Sequence, residues 1–175
     1  MIYRFKNFFS DKVYQNFLNN VDNLPWFDSK ILDGKYSTHF NNTLINSNTP
    51  VKKLEKKYKF IVDKINGTFN SSYYPHNMYY NCYKHGDECG IHQDRVTKED
   101  NKTLIIYLTK EWKADWHGET LIYDDKEDEI VGGVIPYPNT AIMFDSKLKH
   151  GVSPISKFCT ATRTILVLQM ENTND

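Results

Sequence analysis

Cysteine is scarce in this sequence, long apolar runs are missing, and the charges cancel. The three cysteines, Cys82, Cys89 and Cys159, are an odd set without C-x-x-C spacing. That argues against a disulfide framework and against a cysteine-built zinc site. The expectation is a reducing, intracellular setting, the cytoplasm. No stretch approaches the roughly 20 apolar residues a membrane span requires. Met1-Ile2-Tyr3-Arg4 lacks the charged-then-apolar order of a signal peptide, so no membrane partner is expected. Twenty-two basic residues balance twenty-two acidic ones. This removes the global electrostatic case for a nucleic-acid partner, while local basic patches stay open. There is no internal repeat and no low-complexity tract.

What is present suits one folded unit. A chain of 175 residues, 39% hydrophobic, is long enough for one domain with one core. Aromatics make up 14% of it, and Tyr and Phe favour strands and deep pockets. The bias toward Asn, Lys, Ile and Tyr fits an AT-rich genome, bacterial or viral.

Ile2 to Phe5 reads as a short strand. Ser10 or Asp11 can cap a helix in which Val13, Phe17, Leu18 and Val21 fall near helical spacing. Pro25 to Asn48 is turn-rich and polar around Trp26, Phe27, Tyr36 and Phe40. It reads either as part of a substrate groove or as a surface excursion. Thr49-Pro50 is a good helix start, followed by an apolar stripe of Val51, Leu54, Tyr58, Ile61, Val62 and Ile65. The intervening lysines read as a solvated face, and Asn66-Gly67 predicts the end. From Met78 the texture changes to short strands: Met78–Tyr83, Thr103–Leu108, Thr120–Tyr123, Glu129–Ile135, Ala141–Phe144 and Thr162–Met170. Helices followed by many short strands predict an α+β chain whose second half is a jelly roll or barrel.

The sharpest chemical signal is His92-Gln93-Asp94. In an extended strand, side chains at i and i+2 share a face, so an imidazole and a carboxylate would sit side by side. By itself the triplet also describes an ordinary polar turn. Two His and one carboxylate on one face of a metal, with open positions opposite, is the arrangement of non-haem Fe(II) oxygenases. A third ligand must come from a later strand, and His150, after the apolar run Ala141-Ile142-Met143-Phe144, is the candidate. Arg163 opens the apolar strand Arg163-Thr164-Ile165-Leu166-Val167-Leu168-Gln169-Met170. A buried guanidinium there requires an anion: a substrate carboxylate held by its fork, or Asp145 or Glu171. Tyr107 could bond the same carboxylate or be plain core. His39, His76, His85 and His117 read as ordinary, with His117, beside Gly118, a candidate for the pocket mouth.

H-x-D, a distal His, then Arg thirteen residues later on an apolar strand resembles the Fe(II)- and 2-oxoglutarate-dependent dioxygenases. The likeness covers Asn81 to Met170. Tyr107-Leu108-Thr109-Lys110-Glu111-Trp112 followed by Gly118-Glu119-Thr120-Leu121 is similar to the prolyl 4-hydroxylase branch, with Glu119 where a second Gly can stand. Asn81-x-Tyr83 also resembles the nucleic-acid dealkylase branch, but Gln169 stands where that branch carries a second arginine, which disfavours it.

The resemblance implies a double-stranded β-helix (jelly-roll) core at 76–171 supported by helices and a loop region at 1–75, within a single domain 1–175. It implies Fe(II) on His92, Asp94 and His150, 2-oxoglutarate as cosubstrate with its distal carboxylate on Arg163 and Tyr107, and O2; it also admits ascorbate. Asn81, Tyr83 and Leu121 would contact the cosubstrate. The presence of Asp94 implies hydroxylation rather than halogenation. The implied substrate is a prolyl residue in a peptide or protein; the alternatives are nucleic acid, a free amino acid or a small metabolite.

Overall fold

The β11 strand, Arg163–Asn172, is buried on both faces for its first eight residues and forms the centre of the architecture. The structure is a computed structural model that describes residues 1–28, 39–45 and 54–174. Within them the chain runs β1 (Ile2–Phe5), α1 (Asp11–Val21), β2 (Phe27–Asp28), β3 (Phe40–Ile45) and α2 (Lys56–Phe69). It continues through β4 (Tyr73–Tyr83), β5 (Cys89–His92), β6 (Asn101–Tyr107), β7 (Thr120–Tyr123), β8 (Ile130–Val134), β9 (Ala141–Asp145) and β10 (His150–Val152) to β11.

Two antiparallel sheets result. The larger has the order β1-β9-β6-β11-β4-β3-β2, and the smaller β5-β10-β7-β8. Strand alternation divides the larger sheet into two faces. On β11, Leu166, Leu168 and Met170 enter the helix-side core, together with Met78 and Tyr80 of β4 and Leu104 and Ile106 of β6. Ile165 and Val167 face the other way and pack with Ile105, Ile142, Phe144 and, from the smaller sheet, Ile122.

The helices close the first core. Tyr14, Phe17, Leu18 and Val21 of α1 are buried, as are Tyr58, Ile61, Val62 and Ile65 of α2. Both sets follow the i, i+3, i+4, i+7 stripe of an amphipathic helix. Ile61 and Ile65 are fully buried, each contributing about 1.5–3 kcal/mol. Ser10 occupies the N-cap of α1 without a side-chain capping bond.

The described residues correct several boundaries. Helix α2 begins at Lys56, after non-helical Leu54 and Glu55; the Thr49-Pro50 start lies outside the described residues. Its end passes Asn66-Gly67 and falls at Asn70, which takes the left-handed conformation at φ 49°. Asn66 stays within the helix and uses its side chain to bond the next strand. Its Oδ1 accepts from the Tyr73 N–H and its Nδ2 donates to the Tyr73 carbonyl, fastening α2 to β4. Strand β4 starts five residues before the predicted Met78, running through Pro75 where the pairing with β11 shifts register; proline is tolerated at such a bulge. Strand β3 lies inside the stretch read as turn-rich, most of which is outside the described residues.

Candidate metal centre

Two short strands that local pattern does not announce bring the candidate ligands together. His92 ends β5 and His150 begins β10, and the antiparallel register sets them directly opposite each other. Their ring centroids are 4.3 Å apart. Asp94 lies two residues beyond the end of β5, not within an extended strand as the triplet predicts. Its buried carboxylate still reaches the same point: His92 Nε2 is 4.0 Å from Oδ1 and His150 Nε2 3.6 Å from Oδ2. One donor atom from each of the three lies within 4.8 Å of the others.

The surroundings prepare these groups for a cation. The Nδ1 of His92 is 2.9 Å from the Gly90 carbonyl, and the Nδ1 of His150 is 3.0 Å from the Leu148 carbonyl. A proton held at each Nδ1 leaves each Nε2 with a lone pair for the shared point. Asp94 receives one hydrogen bond on each oxygen, from Thr103 Oγ1 at 2.6 Å and from Gln169 Nε2 at 2.5 Å. Burial pulls the His150 pKa down against the opposing pull of Asp94. Burial acts the same way on half-exposed His92, but Cys89, Asp94 and the Gly90 carbonyl outweigh it and raise its pKa to about 9. A divalent ion entering the site would displace that proton. Two imidazole nitrogens and one carboxylate oxygen on one side of a point, with an open cavity on the other, fit Fe(II).

That cavity has a volume of about 570 Å³ and lies between the two sheets. Its walls include the inward rows of β4 (Asn77, Tyr79, Asn81, Tyr83) and β11 (Arg163, Ile165, Val167, Gln169). Arg163 is fully buried. Its guanidinium carbon sits 5.0 Å from the Tyr83 ring centroid and 5.4 Å from that of Tyr107. Nε donates to the Gly118 carbonyl at 2.8 Å and Nη2 to Thr120 Oγ1 at 2.7 Å. Nη1 is buried with no hydrogen-bond partner among the described residues. It pairs with neither Asp145, which faces Lys102 at 3.8 Å, nor Glu171, which accepts from Thr97. A buried cation with only neutral partners is costly, and a carboxylate in the cavity would satisfy both the charge and the idle donor.

The other sequence-predicted residues divide. Asn81 and Tyr83 line the cavity and touch each other, Asn81 Nδ2 lying 3.3 Å from Tyr83 Oη. Tyr107 and Leu121 are not among the described residues lining it. Tyr107 is buried behind the wall, its hydroxyl donating to Thr120 Oγ1 at 2.7 Å. Leu121 follows Thr120 on β7, and alternation turns it to the opposite side. His117 is not a lining residue either; its ring approaches Glu119 at 3.7 Å.

Sequence reasoning missed Thr120, which faces the cavity while accepting from both Tyr107 and Arg163. It also missed His39, which lines the cavity and stacks on Tyr83 at 4.6 Å. Burial first, then Arg163 and His92, push the His39 pKa down to about 4. Thr103 and Gln169 could have been found: each is a polar residue interrupting the inward row of an otherwise apolar strand.

Comparison with known proteins agrees with this geometry. No curated protein sequence matches the chain. Among solved structures, a prolyl-4-hydroxylase from Pseudomonas putida superposes with a TM-score of 0.68 at 12% identity, covering 97% of this chain and 91% of that one. A prolyl hydroxylase from Trichoplax adhaerens, in complex with a hypoxia inducible factor oxygen degradation domain peptide fragment, gives 0.72 at 17% identity, over 99% and 84%. A viral collagen prolyl hydroxylase from Paramecium Bursaria Chlorella virus-1, in a 2-oxoglutarate complex, gives 0.65 at 17%, over 97% and 94%. The family model described as the 2OG-Fe(II) oxygenase superfamily matches residues 78–168. That span is just over half the chain and contains all three candidate ligands and Arg163, so the chain belongs to the 2OG-Fe(II) oxygenase superfamily.

Proposed function

We propose that this Fe(II)- and 2-oxoglutarate-dependent dioxygenase hydroxylates a prolyl residue in a peptide or protein. The observation that carries the reading is the idle, buried Nη1 of Arg163 in the same cavity as the His92, Asp94 and His150 cluster. One cavity then holds a cation site and a separate carboxylate site, as a metal-chelating dicarboxylate cosubstrate requires. We read the two facing sheets as a double-stranded β-helix, with α1 and α2 as its support.

Under this reading His92, Asp94 and His150 hold the metal and leave its cavity side open. Arg163 takes the distal carboxylate of 2-oxoglutarate in its fork. Thr120 accepts from Tyr107 and from Arg163, so its own hydroxyl proton is free to be donated into the cavity toward that carboxylate. Tyr107 therefore acts through Thr120. Ile105, Ile165 and Val167 form the apolar wall beside the cosubstrate. When bound, Fe(II) with 2-oxoglutarate and O2 supplies the oxidising power that yields succinate, CO2 and a hydroxylated C–H carbon.

Two observations favour a peptide over nucleic acid. The similar structures above include prolyl hydroxylases, one of them holding a peptide. Besides Arg163, Arg95 is the only lysine or arginine among the described residues lining the cavity, so those residues present no basic stripe of the kind that tracks a phosphate backbone. No helix among the described residues is long and apolar enough to cross a membrane. The test is succinate formation from 2-oxoglutarate and Fe(II) under air, with proline-rich peptides compared against methylated oligonucleotides. Peptide stimulation, lost in His92→Ala, is expected. Stimulation by the oligonucleotide alone reverses the substrate reading.

A further inference from the structure

Gln169 and Asn77 form an amide chain that ends on the metal-facing carboxylate. Gln169 is buried, and its Nε2 donates to Asp94 Oδ1 at 2.5 Å while its Oε1 accepts from Asn77 Nδ2 at 2.9 Å. On the other side Thr103 Oγ1 donates to Asp94 Oδ2 at 2.6 Å and lies 2.9 Å from Ser146 Oγ. Thr103 and Ser146 are both fully buried.

The direction of these bonds follows from one fact: an ionised carboxylate only accepts. Gln169 must turn its NH2 to Asp94, so its carbonyl oxygen faces Asn77. Asn77 must then turn its own NH2 inward. In the same way Thr103 spends its proton on Asp94 and is left to accept from Ser146. Four neutral groups thus aim their positive ends at one carboxylate, and none of them neutralises it. The carboxylate is held in orientation while its full charge stays available to a cation.

We propose that Gln169, itself oriented by Asn77, is a positioning residue that holds Asp94 in its ligand geometry and so sets the affinity and geometry of the metal site. This rests on the reading of His92, Asp94 and His150 as that site. Partners that orient a metal ligand typically change affinity 10–100-fold when removed.

The probe is Co(II), titrated anaerobically into the full chain without cosubstrate, read by calorimetry and by its visible d–d absorption. Gln169→Met keeps the volume but loses the donor; it should weaken Co(II) binding about 10–100-fold and alter the absorption spectrum. Leu168→Val, on the helix-facing side of the same strand, thins the core and should leave both readouts as in the wild type. Asn77→Asp is the decisive variant. A carboxylate there cannot donate to Gln169 Oε1, so Gln169 should reverse its amide and present oxygen to Asp94, weakening Co(II) binding about fivefold or more, by the same orienting effect. The added negative charge alone would strengthen it. The loss should vanish in the Gln169→Met background, because the two residues act in series.

Unchanged affinity and spectrum in Gln169→Met overturn the inference, as does stronger or unchanged binding in Asn77→Asp, or an Asn77→Asp loss that persists without Gln169. Failure of the wild type to bind Co(II), or undiminished binding by His92→Ala, overturns the metal-site reading itself and the inference with it.

Discussion

Replacing Arg163 with methionine should separate function from stability in an unusual direction. The guanidinium is fully buried, and among the described residues it meets only neutral acceptors and two tyrosine rings. Without the cosubstrate, the variant loses two hydrogen bonds from a charged donor, about 1.5–3 kcal/mol each. It also sheds the cost of a buried cation with no anion, which is of comparable or larger size. The stability of the protein without cosubstrate should therefore stay within about 1 kcal/mol of the wild type or rise.

Cosubstrate binding behaves oppositely. Removing one partner of a buried, hydrogen-bonded charge pair costs about 2–5 kcal/mol, which is about 30-fold to a few thousandfold in affinity for 2-oxoglutarate. Thermal unfolding with Mn(II) in place of Fe(II) reads both effects. At 100 times the wild-type Kd, 2-oxoglutarate adds about 2.7 kcal/mol, or about 5–10 °C in Tm for a chain of this size. At the same concentration the variant should gain about 3 °C at most. Arg163→Lys keeps the charge but not the fork and should fall between. The reasoning is refuted if Arg163→Met keeps the full ligand-induced rise, or if it unfolds several kcal/mol more easily while binding 2-oxoglutarate normally.

Three further outcomes follow from the same wall. Thr120→Val preserves shape but strands the Tyr107 hydroxyl and Arg163 Nη2; equilibrium unfolding should show a loss of about 1–3 kcal/mol, and the KM for 2-oxoglutarate should rise by about tenfold, the worth of one charge-assisted bond. Gly118→Ala meets two obstacles, φ at +72° and a Cβ only 2.9 Å from the Ile155 side chain; denaturant unfolding should show destabilisation by about 1–3 kcal/mol, with weaker 2-oxoglutarate binding because the Gly118 carbonyl orients Arg163. His39 has a folded pKa of about 4, below its ordinary 6.5, so the unfolded chain takes up its proton first and stability falls with pH from about 6.5 down through about 4. Relative to His39→Phe, which keeps a ring on Tyr83, the wild type should lose about 1 kcal/mol between pH 7.5 and 5.5; parallel pH curves for the two proteins would dismiss the assignment.

The elements that local periodicity encodes were legible. The stripes of α1 and α2, the apolar run of β11 and the short strands β6, β7 and β9 follow from patterns that no distant residue can change. Three of the strands that line the cavity were not. Strand β3 reads as a polar loop because Asn41 and Thr43 of its inward row line the cavity. Strands β5 and β10 are four and three residues long, too short for alternation to register. Such local inconsistencies concentrate where a fold serves a site rather than a core.

At the centre, chemistry and geometry part company. The kinds of ligand were present in the linear order: His92, Asp94, His150 and a cation on an apolar strand. Spacing alone could also name Gln169 as a residue out of place among apolar neighbours. Its donation to Asp94, the diversion of Tyr107 behind Thr120 and the approach of His39 to Tyr83 depend on which strands lie side by side and in what register. Residue identity determines which atoms can donate, accept or carry charge. Only the pairing of strands distant in sequence decides which of those atoms meet, because the hydrogen bonds and contacts that select a register are made between segments that do not yet exist as neighbours in the chain.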